Sequence, residues 1–292
     1  MNINIKNSAT SKSRHYITSH DGTVIGYESL GKGPGLILVQ GAMGTVQNYY
    51  ELACYLSGHF NVYLLERRGR GLSPKPYESH HSITDDVSDL RSLLDHTGAE
   101  YLFGLSSGAM IVLAALMDGV AVTKAVVYEP PFYLDGMPLP LIQIFNNQVE
   151  AGLLADALLT AGRIVELSPA HLHALPLWVR RLGAKFALMT NAGWPKGYAS
   201  LKALIPAMRY DFNIVASMNE QFQQLRNIRQ EVLLMGGNNS PDYLKNALAA
   251  MELELPNSRC IRLAGADHSA PWNEDLSGMP SLVAHFLKSY FQ

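Results

Sequence analysis

Residues 104–108 read GLSSG and fit the pattern Gly-x-Ser-x-Gly. They join the apolar run Tyr101–Leu105, which is typical of a buried strand, to the apolar run Ser107–Met117, which is typical of a buried helix. A serine on a sharp strand-to-helix turn needs small residues two positions before and after it, because the strand and the helix approach closely there. Glycine occupies both positions, so the sequence predicts that Ser106 is an exposed nucleophile.

Strand and helix patterns alternate on both sides of this turn. Apolar runs at residues 36–39, 61–65, 125–128, 232–235 and 259–263 alternate with helical stretches, which predicts parallel strands joined by helices. An Asp-Gly turn at residues 21–22 predicts an antiparallel hairpin at the start of the chain. We therefore expect an α/β fold with a mostly parallel, eight-stranded sheet covered by helices on both faces.

A base is needed close to Ser106, because a serine hydroxyl is a weak nucleophile on its own. The chain has ten histidines, and His268 is the one that lies on a loop after the last predicted strand. We predict that His268 removes the proton from Ser106.

The chain resembles the α/β-hydrolase fold family in these features and in three further stretches. These are LILVQGAMG at residues 36–44, ERRGRGLS at residues 66–73 and the Gly-x-x-His of residues 265–268. The resemblance implies an oxyanion hole formed by the N–H groups of Ala42 and Ser107, whose donors are worth about 3–4 kcal/mol each in such sites. The family usually has His-Gly where this chain has Gln40 and Gly41, so we expect an amide to brace the oxyanion loop and alter its shape.

The acid that orients the histidine is less clearly marked in the sequence. In the family it usually follows the seventh strand, but residues 236–242 read GGNNSPD here. Asn239 carries no charge, and Asp242 begins a predicted helix, where the helix dipole alone accounts for a carboxylate. We prefer Glu129, just past the sixth predicted strand, a position that some family members such as haloalkane dehalogenases use. Asp242 is the alternative acid.

Composition and charge limit the class of protein. The chain has 292 residues, of which 48% are hydrophobic and 16% are charged, which is typical of a compact globular protein and excludes whole-chain disorder. We expect a disordered tail over residues 1–15, a core over residues 16–131 and 206–292, and a helical cap over residues 132–205. The formal net charge of -2 argues against nucleic-acid and membrane partners, and we expect a cytoplasmic protein because no leader or spanning pattern is evident.

The chemistry expected of this sequence needs no cofactor and no metal. Val39 stands where a dinucleotide-binding turn would need its first glycine, and no set of Cys, His and carboxylate residues has metal-binding spacing. We expect a serine hydrolase that cleaves a small carboxylic ester or lactone through an acyl-enzyme. The alternatives are a C–C bond hydrolase that uses the same Ser–His pair and a ligand-binding protein without catalysis. Five residues are predicted to line the substrate pocket: Met43, Phe132, Phe186, Met189 and Trp194.

Overall fold

The computed structural model describes residues 12–166, 174–192 and 194–292, and its centre is one eight-stranded sheet. The strands are β1 (Ser13–Thr18), β2 (Val24–Gly31), β3 (Gly35–Val39), β4 (Asn61–Leu65), β5 (Tyr101–Leu105), β6 (Lys124–Tyr128), β7 (Glu231–Gly237) and β8 (Ser258–Leu263). They lie in the order β1-β2-β4-β3-β5-β6-β7-β8. The pairs β1–β2 and β2–β4 are antiparallel and the other five pairs are parallel. The predicted fold class is therefore confirmed.

Helices cover both faces of the sheet. They are α1 (Tyr50–Leu56), α2 (Ile83–Thr97), α3 (Ser107–Met117), α4 (Leu139–Glu150), α5 (Leu154–Ile164), α6 (Leu177–Thr190), α7 (Leu201–Asn219), α8 (Asp242–Glu254) and α9 (Pro280–Phe291). The apolar residues of α2, α3 and α8 pack in one core and those of α1 and α9 pack in another, on the opposite face. Because the central strands are covered on both faces, they are continuous apolar runs rather than alternating ones.

The first strand begins earlier than the sequence indicates. Ser13, Arg14 and His15 belong to β1 and pair with residues of β2, so the last three residues of the predicted tail are ordered sheet. Their polar side chains hide the strand pattern, but Arg14 pairs with the buried Glu28 of β2 at 3.3 Å. The rest of the predicted tail, residues 1–11, lies outside the described residues.

Helices α4 to α7 form an insert between β6 and β7 with an apolar core of its own. The predicted boundary at residues 205–206 falls inside α7. The first half of α7 packs in the core of the insert through Leu201, Ile205 and Met208, whereas Ile214 and Met218 pack against the sheet. One continuous helix therefore packs in the core of the insert with its first half and against the sheet with its second half, and no linker separates the insert from the sheet. Among the described helices, none combines the length and the apolar character needed to cross a membrane.

Candidate active site

Ser106 lies on the turn between β5 and α3, with φ 55° and ψ -124°. A residue other than glycine seldom adopts a positive φ, so the backbone is strained at this position. The flanking glycines are needed because the chain is crowded there. A Cβ on Gly104 would lie 2.6 Å from the carbonyl oxygen of Gly108, and one on Gly108 would lie 2.4 Å from that of Gln40. The turn thus presents a partly exposed Ser106 at the carboxyl end of β5.

Glu129 and His268 meet at the carboxyl ends of β6 and β8. Glu129 Oε2 lies 2.7 Å from His268 Nδ1, and Glu129 Oε1 accepts a hydrogen bond of 2.6 Å from the N–H of Gly237. The Glu129 side chain is 0% exposed, whereas that of His268 is 17% exposed. A carboxylate that accepts from Nδ1 favours the tautomer with its proton there, which leaves the lone pair of Nε2 to act as a base.

Asp242, the alternative acid, is placed differently. It is the first residue of α8, it is exposed, and its Oδ1 lies 2.8 Å from Lys245 Nζ. Hydrogen bonding and charge from Lys245 lower the pKa of the Asp242 carboxyl. Asn239 donates through its side-chain amide to the carbonyl oxygen of Gly265 at 3.1 Å. The structure therefore brings Glu129, and not Asp242, to the imidazole.

The N–H groups of Ala42 and Ser107 are the predicted oxyanion donors. Ser107 is the first residue of α3, so its N–H has no partner within that helix. Within the described ranges, neither N–H donates to another protein group. The loop of Ala42 also lies against the turn at residues 104–108, which we call the elbow, since a Cβ on Gly41 would lie 2.9 Å from Ser106 Cβ. Two unused donors and the serine therefore share one region.

Gln40 and Gly41 hold the start of this loop through hydrogen bonds to neighbouring segments. Gln40 is fully buried, and its side-chain nitrogen donates to the carbonyl oxygen of Leu65 at the end of β4. The N–H of Gly41 donates to the hydroxyl of Tyr49 at 3.2 Å. The same hydroxyl accepts from Trp272 Nε1 at 3.2 Å. The loop is thus held from β4 and from the segment that follows His268.

A buried ion-pair network joins the elbow to α7. Asp211 of α7 accepts from Arg67 Nη1 at 2.7 Å and from the hydroxyl of Ser107 at 2.6 Å, and it also pairs with Arg70. All four side chains are buried. Burial alone would raise the pKa of Asp211, but Arg70, Arg67 and the Ser107 hydroxyl more than offset it, so its pKa lies below the ordinary value.

Arg70 extends the network to the oxyanion loop. Its Nη1 donates to the carbonyl oxygen of Gly41 at 2.7 Å and to that of Gly44 at 3.0 Å. Charge-assisted hydrogen bonds of this kind are about twice as strong as neutral ones. The sequence had not identified Asp211 as part of this arrangement.

Glu66, next to this network, gives a prediction about stability and pH. Burial raises the pKa of Glu66 from 4.5 to about 7, against the lowering effect of the Leu72 and Val46 N–H groups and of Arg70. A carboxyl whose pKa is higher in the folded state holds an extra proton when folded, so its contribution to stability is lost as the pH rises through this window. Glu66→Gln removes that loss. We compare the free energy of unfolding of the Glu66→Gln protein with that of the unmodified protein. We expect the difference, variant minus unmodified, to rise by about 3 kcal/mol between about pH 5 and about pH 8.

Urea unfolding at the two pH values measures this difference, with Glu100→Gln as the control for the loss of an exposed carboxylate. A Glu66→Gln difference that is the same at both pH values would contradict the prediction.

A pocket of about 560 Å³ lies beside His268. Its walls come from the loop after β7, from the segment that follows β8 and from Glu166 at the end of α5, and the imidazole of His268 forms part of the lining. None of the five residues predicted to line a substrate pocket lines this one.

Three of those five predictions need correction. Phe132 is 1% exposed and packs edge to face on Phe222 in the core, so it serves the packing of the sheet layer. Phe186 and Met189 are 61% and 78% exposed. They lie on the side of α6 opposite the residues that it buries, Ala184 and Leu188.

Met43 and Trp194 lie nearer to the candidate site. Met43 directly follows Ala42, has a φ of 59° and packs against the core of the insert. Trp194 packs edge to face on Trp272, with ring centroids 5.9 Å apart, and Trp272 lines the pocket. Trp194 therefore contacts a residue of the pocket wall.

Comparisons with known proteins identify the family and the fold. Residues 36–280 match the sequence profile described as the alpha/beta hydrolase family. N-formylmaleamate deformylase of Pseudomonas putida is 24% identical over a 270-residue alignment, and the match covers 88% of this chain and 90% of that protein. An alpha/beta hydrolase from Sphaerobacter thermophilus has a similar structure, with a TM-score of 0.74 and 24% identity over 94% of this chain and 100% of that one. An esterase from Rhodococcus has a TM-score of 0.61 and 20% identity over 95% and 99% of the two chains.

Proposed function

Because this chain belongs to the alpha/beta hydrolase family and is a hydrolase, we propose that Ser106, His268 and Glu129 form its catalytic triad. The observation that carries the proposal is the 2.7 Å contact between His268 Nδ1 and the fully buried Glu129 carboxylate. A buried carboxylate on that nitrogen holds the imidazole in the orientation and tautomer that a general base needs. The strained backbone of Ser106 supports its part as the nucleophile.

We propose that the substrate is a small carboxylic ester or lactone. Ser106 Oγ attacks the carbonyl carbon while His268 Nε2 takes its proton, and the N–H groups of Ala42 and Ser107 hold the oxyanion. The C–O bond then breaks, and His268 returns the proton to the leaving alkoxide, which departs as an alcohol. Water attacks the acyl-enzyme, gives its proton to His268, and releases the carboxylic acid as Ser106 regains its proton. For a lactone, the alcohol and the acid are two ends of one product.

The Pseudomonas putida relative is named as a deformylase that acts on an N-formyl compound. This similarity supports amides, as well as esters and lactones, as substrates of the same Ser106, His268 and Glu129. An amide would pass through the same oxyanion and acyl-enzyme, with an amine in place of the alcohol. C–C bond hydrolysis on the same pair of side chains is the second catalytic possibility. Ligand binding without turnover finds less support, because the residues required for covalent chemistry are all present.

A fluorophosphonate probe tests the triad directly. The probe reacts with activated serines, so we expect mass spectrometry to find the adduct on Ser106 alone. His268→Ala should slow labelling by at least about a thousandfold, since the base is lost. Ser92→Ala, which removes a hydroxyl on α2, should label at the unmodified rate.

Two outcomes would refute the proposed function. One is a folded protein, verified by circular dichroism, that takes up no probe at Ser106. The other is a labelled protein that hydrolyses neither p-nitrophenyl acetate nor a simple lactone.

A further inference from the structure

Three exposed carboxylates line the pocket beside His268. Glu166 follows α5, Asp242 begins α8 and Asp267 directly precedes His268. Within residues 12–166, 174–192 and 194–292, no Lys or Arg side chain lines this pocket. Lys245 pairs with Asp242, and the positive end of the α8 dipole also faces that carboxylate. The charges of Glu166 and Asp267 have no such ion pair among the described residues.

Two neutral groups complete the lining. Ser240 is 3% exposed, and its hydroxyl has no hydrogen-bond partner within the part of the chain that the structure describes. A buried hydroxyl without a partner is uncommon, because the lost hydrogen bond to water costs about 1–3 kcal/mol, and Ser240 is one of the residues that line the pocket. Trp272 adds an indole ring to the wall.

Negative charge and an aromatic ring together favour a cation. A carboxylate attracts a cation over several ångströms near a protein surface, and an indole ring attracts it through the negative face of its π-system. Asp267 Oδ1 accepts from the N–H and hydroxyl of Ser269 at 2.8 and 2.7 Å, which holds that carboxylate in place without neutralising it. The same charges disfavour a carboxylate-bearing substrate.

We propose that this pocket binds a cationic group of the substrate, a quaternary or protonated amine carried on the alcohol or the acyl part of the ester. The proposal rests on the proposed function and defines its substrate class. His268 belongs to both the proposed triad and the pocket lining, so a group bound in the pocket lies beside the imidazole that is proposed to serve Ser106.

Matched pairs of esters test the preference for a cation. The first pair is acetylcholine and its isostere in which a quaternary carbon replaces the nitrogen. This pair places the charge on the alcohol part of the ester. The second pair is the methyl ester of γ-trimethylammoniobutyrate and its carbon isostere, and it places the charge on the acyl chain. We expect the cationic member of at least one pair to have a kcat/KM about tenfold higher at low ionic strength, chiefly through KM. We expect that preference to shrink to about twofold in about 0.5 M salt.

Charge-removing variants connect the preference to the pocket. Glu166→Gln combined with Asp267→Asn should reduce the cationic-to-neutral ratio to about twofold or less. Asp95→Asn removes an exposed charge on α2, outside the pocket, and should keep the full ratio. Equal kcat/KM values within both pairs would overturn the proposal, and so would a full preference in the double variant.

A binding measurement separates this proposal from the proposed function. Choline titrated into Ser106→Ala protein should bind with about millimolar affinity by calorimetry, more tightly than its carbon isostere. If esters are hydrolysed but choline binds no better than the isostere, the cation pocket is refuted and the proposed ester hydrolysis stands. If choline binds selectively but no ester is hydrolysed by the unmodified protein, the proposed ester hydrolysis is refuted and the cation pocket stands.

Discussion

Glu129→Gln is expected to lower kcat for ester hydrolysis by about a thousandfold to ten-thousandfold. Gln keeps the size of the side chain and can still accept from the N–H of Gly237. It removes the negative charge that offsets the imidazolium, and it no longer enforces the proton on His268 Nδ1. KM should change little, because the buried carboxylate at 0% exposure has no access to substrate.

Steady-state kinetics with p-nitrophenyl acetate measure this effect, with Asp242→Asn as the matched comparison. Asp242 is exposed and pairs with Lys245, so its loss should cost less than about tenfold in kcat. The result that would contradict the assignment is the reverse order, in which Asp242→Asn loses several orders of magnitude and Glu129→Gln does not.

Asp211→Asn is expected to destabilise the fold by about 3–5 kcal/mol. The carboxylate lies between Arg67 and Arg70, all three side chains are buried, and both guanidiniums pair with it. Removing the central charge leaves Arg67 with Asp86 as its remaining carboxylate and takes from Arg70 the carboxylate with which it pairs, and the two buried cations repel each other. A neutral amide can replace a hydrogen bond but not the charge.

The midpoint of urea unfolding at unchanged slope measures this loss. Asp118→Asn is the control, because Asp118 pairs with Arg91 at the surface and is 60% exposed on its side chain. We expect the control to lose less than about 1 kcal/mol. A similar small loss for Asp211→Asn would show that the two arginines find other partners.

The turn at Ser106 and the position of His268 after β8 were predictable because their signals are local. A Gly-x-Ser-x-Gly turn between a strand pattern and a helix pattern needs only neighbouring residues to be recognised, and β5 and α3 have the predicted bounds. The acid was harder, since it depends on which loop reaches the imidazole. The helix-start context of Asp242 favoured Glu129, and the distance from His268 agrees with that preference.

Asp211 was missed although the sequence contains a signal for it. It lies three residues after Met208 and seven after Leu204, on the buried stripe of α7. A charged residue at such a position needs a buried partner. The partner is Arg67, which lies 144 residues earlier in the chain, and periodicity within one helix carries no information about such a distant contact.

The prediction that Phe186 and Met189 line the pocket was wrong for a different reason. Phe186 and Met189 are large and apolar, but apolar character does not specify which side of an isolated helix packs inward. Ala184 and Leu188 are the buried residues of α6 instead. The acidic lining was not predicted, because its residues come from three separate parts of the chain: after α5, at the start of α8 and after β8.

Helix α7 determines how the insert can be exchanged between related proteins. Its second half is packed under the sheet and holds Asp211, so grafting a foreign segment across residue 205 would cut the helix that carries the buried charge. The transplantable unit is α4 to α6, with junctions before residue 139 and after residue 190. A donor segment must also supply apolar side chains that match Leu201, Ile205 and Met208, which remain with the recipient. Substrate range can then be varied by grafting without disturbing the charged network behind the elbow.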